Sequence, residues 1–274
     1  MLKIGISSCF YPVLTEDSFK ELRNEGIYAL ELSMKKDVCD TVDYDQIKEW
    51  ADKYGIILWS YHLPFAPNID ISVLDESTRA SFVEYLSGLI KKASDIGIDK
   101  FVIHPSREPI ADEDRPLRMK QSMRSLAELA EFSASCGAVM AVEDLPRTCL
   151  GRTAEDMITL LSADDRLRVC FDTNHLTMDN NARFMEKLGD KIITLHVSDY
   201  DLIDEKHWLP GEGQNDWAEI MDGLEKIGYS GVFMYEVGAG KPKIITRSRP
   251  IEPSDFVKNA HSIFNREKPE TFLV

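Results

Sequence analysis

Short apolar runs that stop on a carboxylate or an imidazole recur along this chain, and a longer amphipathic segment follows most of them. The clearest is Leu167-Arg168-Val169-Cys170-Phe171-Asp172-Thr173-Asn174-His175. Val169 to Phe171 reads as a buried parallel strand, which is short and apolar without clean alternation. Asp172 then stands at its carboxyl end and His175 in the turn beyond. A lone aspartate there reads equally well as a helix N-cap. Repetition argues otherwise, because Val102-Ile103-His104, Ala141-Val142-Glu143, Ile193-Thr194-Leu195-His196 and Phe233-Met234-Tyr235-Glu236 end in the same way.

The intervening segments give the architecture. Strands are expected over Lys3–Cys9, Ile27–Leu32, Ile56–His62, Asp99–His104, Ala138–Glu143, Leu167–Asp172, Lys191–Ser198 and Gly231–Glu236. Helices are expected over Glu16–Asn24, Tyr44–Tyr54, Glu76–Ile96, Asp112–Ser135, Thr153–Leu161, Ala182–Lys187, Asp216–Ile227 and Ser254–Phe264. In the third, Phe82, Leu86, Leu89, Ile90 and Ala93 share one helical face. A tail of irregular structure is expected to follow the last helix. The spacing of roughly thirty residues is that of a β-α unit. About eight such units close most naturally into a single (β/α)8 TIM barrel over residues 1–274. An open doubly wound sheet fits less well, since Ser7-Ser8-Cys9-Phe10-Tyr11-Pro12 after the first strand is no glycine-rich dinucleotide turn.

Composition narrows the classes. The five cysteines are scattered without a CxxC pair, against both a disulfide framework and a cysteine zinc site. No run of eighteen apolar residues exists, so no membrane span is expected. Met1-Leu2-Lys3-Ile4 enters a strand without signal-peptide regions, which makes a cytoplasmic location the expectation. A formal net charge of −15 repels phosphate backbones and lowers the expectation of a nucleic-acid partner.

In a barrel, strand ends converge on one face. His62, His104, Glu143, Asp172, His175, His196, His207 and Glu236 would then be neighbours. Clustered carboxylates repel without a cation, and mixed nitrogen and oxygen donors suit zinc, manganese or iron better than calcium. No GxSxG elbow or Walker lysine loop competes. The Pro210-Gly211-Glu212-Gly213 turn lacks a positive residue and reads as a flexible loop rather than a phosphate cradle.

Asp172-Thr173-Asn174-His175, Leu195-His196-Val197-Ser198-Asp199 and His207-Trp208-Leu209-Pro210-Gly211-Glu212-Gly213 resemble the xylose-isomerase-like barrel superfamily, from the first strand to the last. That group holds sugar phosphate isomerases and epimerases and apurinic endonucleases of the endonuclease-IV type. In the epimerase branch, the resemblance implies one metal held by Glu143, Asp172, His196 and Glu236. The two glutamates would move a proton through an enediolate, with His175 on the substrate. In the endonuclease branch it implies up to three zinc ions, with His62, His104, His175 and His207 as added ligands. An aspartate of that branch, two before the last histidine, is replaced here by Glu205, a further candidate ligand whose different identity weighs against a complete third site.

The favoured reading is a metal-dependent isomerase or epimerase of a small sugar or sugar phosphate, with manganese, zinc, cobalt or magnesium as cofactor. An apurinic endonuclease and a non-catalytic sugar-binding barrel are the alternatives, and a homo-oligomer stays open. His62, His104, His175, His207, Trp208 and Glu31 are expected to face the substrate. Trp59, Trp208 and Phe65 are candidates for an apolar wall. Arg147, Lys241 and Lys243 could meet a substrate anion, though each also reads as solvated surface charge.

Overall fold

A computed structural model of the chain describes residues 2–65, 69–238 and 244–274. Its eight strands are β1 (Lys3–Ser7), β2 (Ala29–Ser33), β3 (Ile57–His62), β4 (Lys100–Ile103), β5 (Val139–Glu143), β6 (Arg168–Asp172), β7 (Ile192–His196) and β8 (Val232–Tyr235). All pairings between them are parallel, in the order β7-β6-β5-β4-β3-β2-β1-β8. The ring closes just past the end of β7. The Val197 amide donates to the Met234 carbonyl at 2.8 Å, and the Glu236 amide donates to Val197 at 3.1 Å. The expected (β/α)8 barrel is the fold of this protein.

The helices are α1 (Glu16–Asn24), α2 (Lys36–Cys39), α3 (Tyr44–Tyr54), α4 (Glu76–Asp95), α5 (Arg115–Ser135), α6 (Ala154–Leu161), α7 (Asn181–Leu188), α8 (Trp217–Lys226) and α9 (Pro253–Phe264). Capping sets several starts: Asp75, Thr153 and Asp216 side chains accept from amides of the first turn. The largest core lies between the sheet and these helices, with Leu30, Phe101, Phe171 and Phe233 fully buried. No helix among the described residues is long and apolar enough to cross a membrane.

Several details depart from the sequence expectation, the short unexpected helix α2 among them. Strand β2 begins at Ala29, because the Ile27 amide is used in closing α1 on the Leu22 carbonyl. The turn Ser8–Phe10 is a 3-10 helix where strand was expected. The tail is tied back by an antiparallel bridge between Arg247 and Leu273.

The barrel interior is filled from below. A Cβ on Gly5 would stand 2.6 Å from Val232 Cγ1, so only glycine fits between β1 and β8 at that level. Ala29, Val232 and Met234 pack there with Trp59, while Val102, Ala141 and Cys170 pack with Ile193. Both Trp59 and Ile193 are bulges, skipped in the registers Leu30↔Leu58, Glu31↔Ser60 and Val169↔Ile192, Cys170↔Thr194. Side chains alternate along a strand, so an inward Trp59 in regular register would turn Ser60 and His62 outward. One extra residue resets the phase. Ser60 and His62 above one bulge, and Thr194 and His196 above the other, therefore face the barrel axis. Trp59 itself lies in the barrel interior, where its indole donates to Thr194 Oγ1 at 3.0 Å, and is no wall for a sugar.

Candidate metal-binding active site

Above this plug, Glu31, His62, Glu143, Asp172 and His196 rise from β2, β3, β5, β6 and β7, all fully or almost fully buried. His104 and Glu236 stand one residue past β4 and β8. Glu143, Asp172, His196 and Glu236 bring one donor atom each within 4.8 Å of one another. His62, His104 and Glu143 do the same, as do His175, Glu205 and His207. A shallow cavity of 390 Å³ opens over these groups, and Phe65, His104, Glu143, His175, His207 and Glu236 are among its walls.

Backbone carbonyls fix two imidazoles. His62 Nδ1 donates to the Leu63 carbonyl at 2.9 Å, and His175 Nδ1 donates to the Asp144 carbonyl at 2.8 Å. A carbonyl only accepts, so each ring turns its Nε2 toward carboxylates. His62 Nε2 is 3.0 Å from Glu143 Oε2, and His175 Nε2 is 3.3 Å from Glu205 Oε2. Anchoring of the remote ring nitrogen in this way is how metal-binding histidines are held.

Charge in the site is tightly balanced. Burial pushes the Glu143 carboxyl up, but His196 and His104 outweigh it and hold it well below the usual carboxylate range. Burial pushes the His196 imidazole down, and the anionic groups around it, Glu236, Glu31 and Glu143 among them, hold it well above its ordinary value. Asp172 is pushed up to about 6, chiefly by burial.

Among the buried carboxylate oxygens here that accept no hydrogen bond are Glu31 Oε1, Glu143 Oε2 and Asp172 Oδ2. Histidine nitrogens stand 3.0 Å from the first two, so the distance is met and the hydrogen-bond geometry is not. Orphaned buried acceptors are costly. A divalent cation among them would remove that cost, and the mixed donor set suits zinc or manganese.

Not every expected residue meets the cavity. Trp208 is buried, paired through its backbone with Asp199, and is not among the cavity walls. Glu31 is spoken for by Ser60 Oγ at 2.8 Å and by His196 Nε2, below the cavity floor. Lys241 and Lys243 lie outside the described residues. Arg147 reaches the cavity wall but is paired with Glu108, Asp204 and Glu205, which leaves little of its charge for a substrate anion. Glu205, whose identity weighed against a third donor group, reaches His175 because its longer chain is held there by Arg147 at 2.8 Å.

Sequence reasoning missed the supports. Asp144 is buried, and its Oδ1 accepts from the Asp172 amide at 2.8 Å while its carbonyl orients His175. Asn174 Oδ1 accepts from the amides of Lys206 and His207, at 2.7 and 3.2 Å, and so holds the loop that carries Glu205 and His207. His207 sits at a φ of 51°, a left-handed conformation that a side chain adopts only under constraint. The loop after it is no flexible linker. Asp199 accepts from the amides of Tyr200, Gly211 and Asn215 and from the Trp217 indole. Polar pairs adjoining each motif were the only hint in the sequence.

Known proteins resemble this arrangement along most of its length. An uncharacterized protein of Methanocaldococcus jannaschii is 28% identical over 86% of this chain and 83% of its own length. The D-psicose 3-epimerase of Enterocloster bolteae is 25% identical over 70% of this chain, which spans 65% of that enzyme. Among solved structures, a D-tagatose 3-epimerase-like protein superposes with a TM-score of 0.82 at 23% identity, covering 96% of this chain and 97% of that one. An L-ribulose 3-epimerase gives 0.78 at 20% identity, covering 97% and 94%. The family description "xylose isomerase-like TIM barrel" matches residues 19–254, and this chain belongs to that family.

Proposed function

We propose that this protein is a divalent-metal-dependent isomerase or epimerase of a small sugar. The observation that carries the reading is that Glu143, Asp172, His196 and Glu236 bring donor atoms within 4.8 Å of one another, with Glu143 and Glu236 lining a cavity of 390 Å³. The sugar 3-epimerases among its relatives support the substrate class. A bound divalent ion would polarise the substrate's carbonyl and hydroxyl oxygens.

The chain's own groups would do the rest. Glu143 and Glu236 are the acid–base pair, one taking the proton from the carbon next to the carbonyl and the other returning it. Both approach His196 Nδ1, at 2.8 and 3.3 Å, which places the two carboxylates beside the same ring of the donor group. Asp172 helps hold the ion, and Asp144 and Asn174 orient the loops around it. His175 and His207 line the cavity and meet the sugar's hydroxyl groups. Phe65, stacked on His104 with ring centroids 4.2 Å apart, offers an apolar face.

A carboxyl proton exchanges with water, so turnover in deuterium oxide should place deuterium on the carbon that changes configuration. Glu143→Gln and Glu236→Gln should each abolish that exchange. No exchange on any ketose, ketose phosphate or substituted ketose would overturn the reading.

A second reading rests on two of the further donor groups, His62–His104–Glu143 and His175–Glu205–His207. They would suit a three-metal apurinic endonuclease. Duplex binding then has to overcome a net charge of −15. Incision of an abasic duplex by the pure protein, steeply weakened by salt, would favour it.

A further inference from the structure

Beside the metal-site cavity lies a second and larger one. It is a groove of 1140 Å³ over the carboxyl ends of β1 and β2, lined by the turn after β1, by α2 and by the start of α3. Phe65 lines both cavities and so stands where they meet. The inner cavity is at the low end of the range for small-molecule sites, about 300–1,000 Å³, and the groove lies beyond its upper end. A free monosaccharide at the carboxylates would leave the groove unused.

The groove's polar groups are largely committed to each other. Tyr11 Oη donates to Glu21 at 2.9 Å, Ser8 Oγ accepts from the Ser33 amide at 2.7 Å, Lys36 pairs with Asp40 at 2.7 Å, and Asp43 caps α3. Lys35 and Asp37 also line it, but the surface left to a ligand is mainly apolar, and Val13, Val38 and Phe65 stand in it 71%, 41% and 46% exposed. Contiguous apolar exposure of this kind marks a binding surface.

We infer that the groove receives an apolar substituent of the sugar, attached away from the carbonyl and the reacting carbon, so that the substrate is a substituted sugar and not a free monosaccharide. The inference rests on the sugar reading of the adjoining cavity. Continuity at Phe65 favours this occupant over an unrelated partner, because a group bound in the groove ends beside His104.

The test compares binding of ketohexoses with their 1-O-benzyl and 6-O-benzyl ethers, by calorimetry and by saturation-transfer NMR, using the full chain with manganese added. At least one ether should bind about tenfold more tightly than its parent, the gain expected from burying a good part of an aromatic ring. Val13→Asp, at a site too exposed to threaten folding, should remove most of that gain and leave the parent sugar unchanged. Equal binding of ethers and parents, or equal weakening of both by Val13→Asp, would overturn the inference. So would self-association that Val13→Asp abolishes without any benzyl preference, because the groove would then seat a second copy of the chain. Deuterium exchange on a parent ketose without benzyl preference sinks the groove and spares the isomerase reading. A benzyl preference lost in Val13→Asp, with no exchange on any ketose or on its benzyl ether, supports the groove and counts against that reading.

Discussion

His62 Nε2 stands 3.0 Å from Glu143 Oε2, and the two make no hydrogen bond. The ring's Nδ1 proton is already given to the Leu63 carbonyl. His104 Nε2 reaches the same oxygen at 3.0 Å, and that oxygen is left without a hydrogen bond. A buried carboxylate oxygen flanked by two imidazole nitrogens and bonded to neither is placed to share a cation with them.

Metal uptake should accordingly stabilise the barrel. Chelator-treated protein given manganese or zinc at about 100 times the dissociation constant should gain roughly 2.7 kcal/mol, a rise in Tm of about 5 °C. Asp172→Asn keeps the side-chain oxygen that accepts from the Asn174 amide but weakens the donor set. It should fold, bind less metal and lose most of the thermal shift. An unchanged metal content in this variant would count against Asp172 as a ligand.

Asn174→Ala should act on the neighbouring group. Losing Oδ1 leaves the Lys206 and His207 amides without their acceptor, at a cost of about 2 kcal/mol. With the loop loosened, Glu205 and His207 lose their alignment with His175. Sugar binding should weaken while the metal bound per chain stays unchanged. Unaltered sugar affinity in Asn174→Ala would show that the loop is positioned by other means.

Much of the candidate site was legible because barrel topology turns a list of strand-end residues into neighbours. Glu143, Asp172, His196 and Glu236 needed only their places at the ends of apolar runs. The bulges at Trp59 and Ile193 were not legible, since an inserted residue has no compositional signature and shows only in the register. Those bulges nevertheless decide that His62 and His196 face inward. Trp208 misled because an aromatic next to a site histidine reads as a sugar platform. Its backbone pairs with Asp199, and the residue is buried away from the cavity walls. Asp144 and Asn174 were passed over because their work is to satisfy backbone groups of loops that fold only in three dimensions.

Acid should weaken the packing of α9. Burial pushes the Asp255 carboxyl up, but Arg249, at 2.6 and 2.7 Å, and the Glu252 amide outweigh it and hold it below the usual value. The folded state thus binds this proton less readily than the unfolded chain. The resulting stabilisation is complete above the unfolded pKa, about 3.9, and is lost as pH falls through the folded value. Asp255→Asn should be less stable than wild type at pH 7 and should show a smaller fall in urea midpoint between pH 5 and about pH 3. Parallel curves for the two proteins would dismiss the contribution.

Two glycines should respond to alanine in opposite directions. A Cβ on Gly213 would lie 2.3 Å from the Tyr200 carbonyl oxygen and 2.4 Å from Asp199 Oδ1. Backbone must shift, and the loop that carries His207 shifts with it, at a cost of about 1–3 kcal/mol. Gly88, inside α4, has nothing within 4 Å of its added Cβ. Gly88→Ala should stabilise by roughly 0.5–1 kcal/mol. Thermal melts of both variants check the pair, and a neutral Gly213→Ala would mean the loop tolerates rearrangement.

The tail tests how that loop is fastened. Glu212 and Arg247 form a forked pair at 2.6 and 2.7 Å with side chains almost wholly buried, and Glu212 also accepts from the Leu209 amide. Arg247 bridges to Leu273 through its backbone, and Asn259 reaches the carbonyls of Pro210 and Glu270. The end of the chain is thereby bound to the loop that presents Glu205 and His207. Removing one member of a buried pair strands the other charge, so Arg247→Met should cost about 3–5 kcal/mol. Glu212→Gln with Arg247→Met removes both charges and leaves a side-chain oxygen for the Leu209 amide, so the double variant should recover much of the loss. Urea unfolding of the single and double variants measures the difference. A double variant no more stable than Arg247→Met would mean that Arg247 stabilises the tail through packing rather than through its charge.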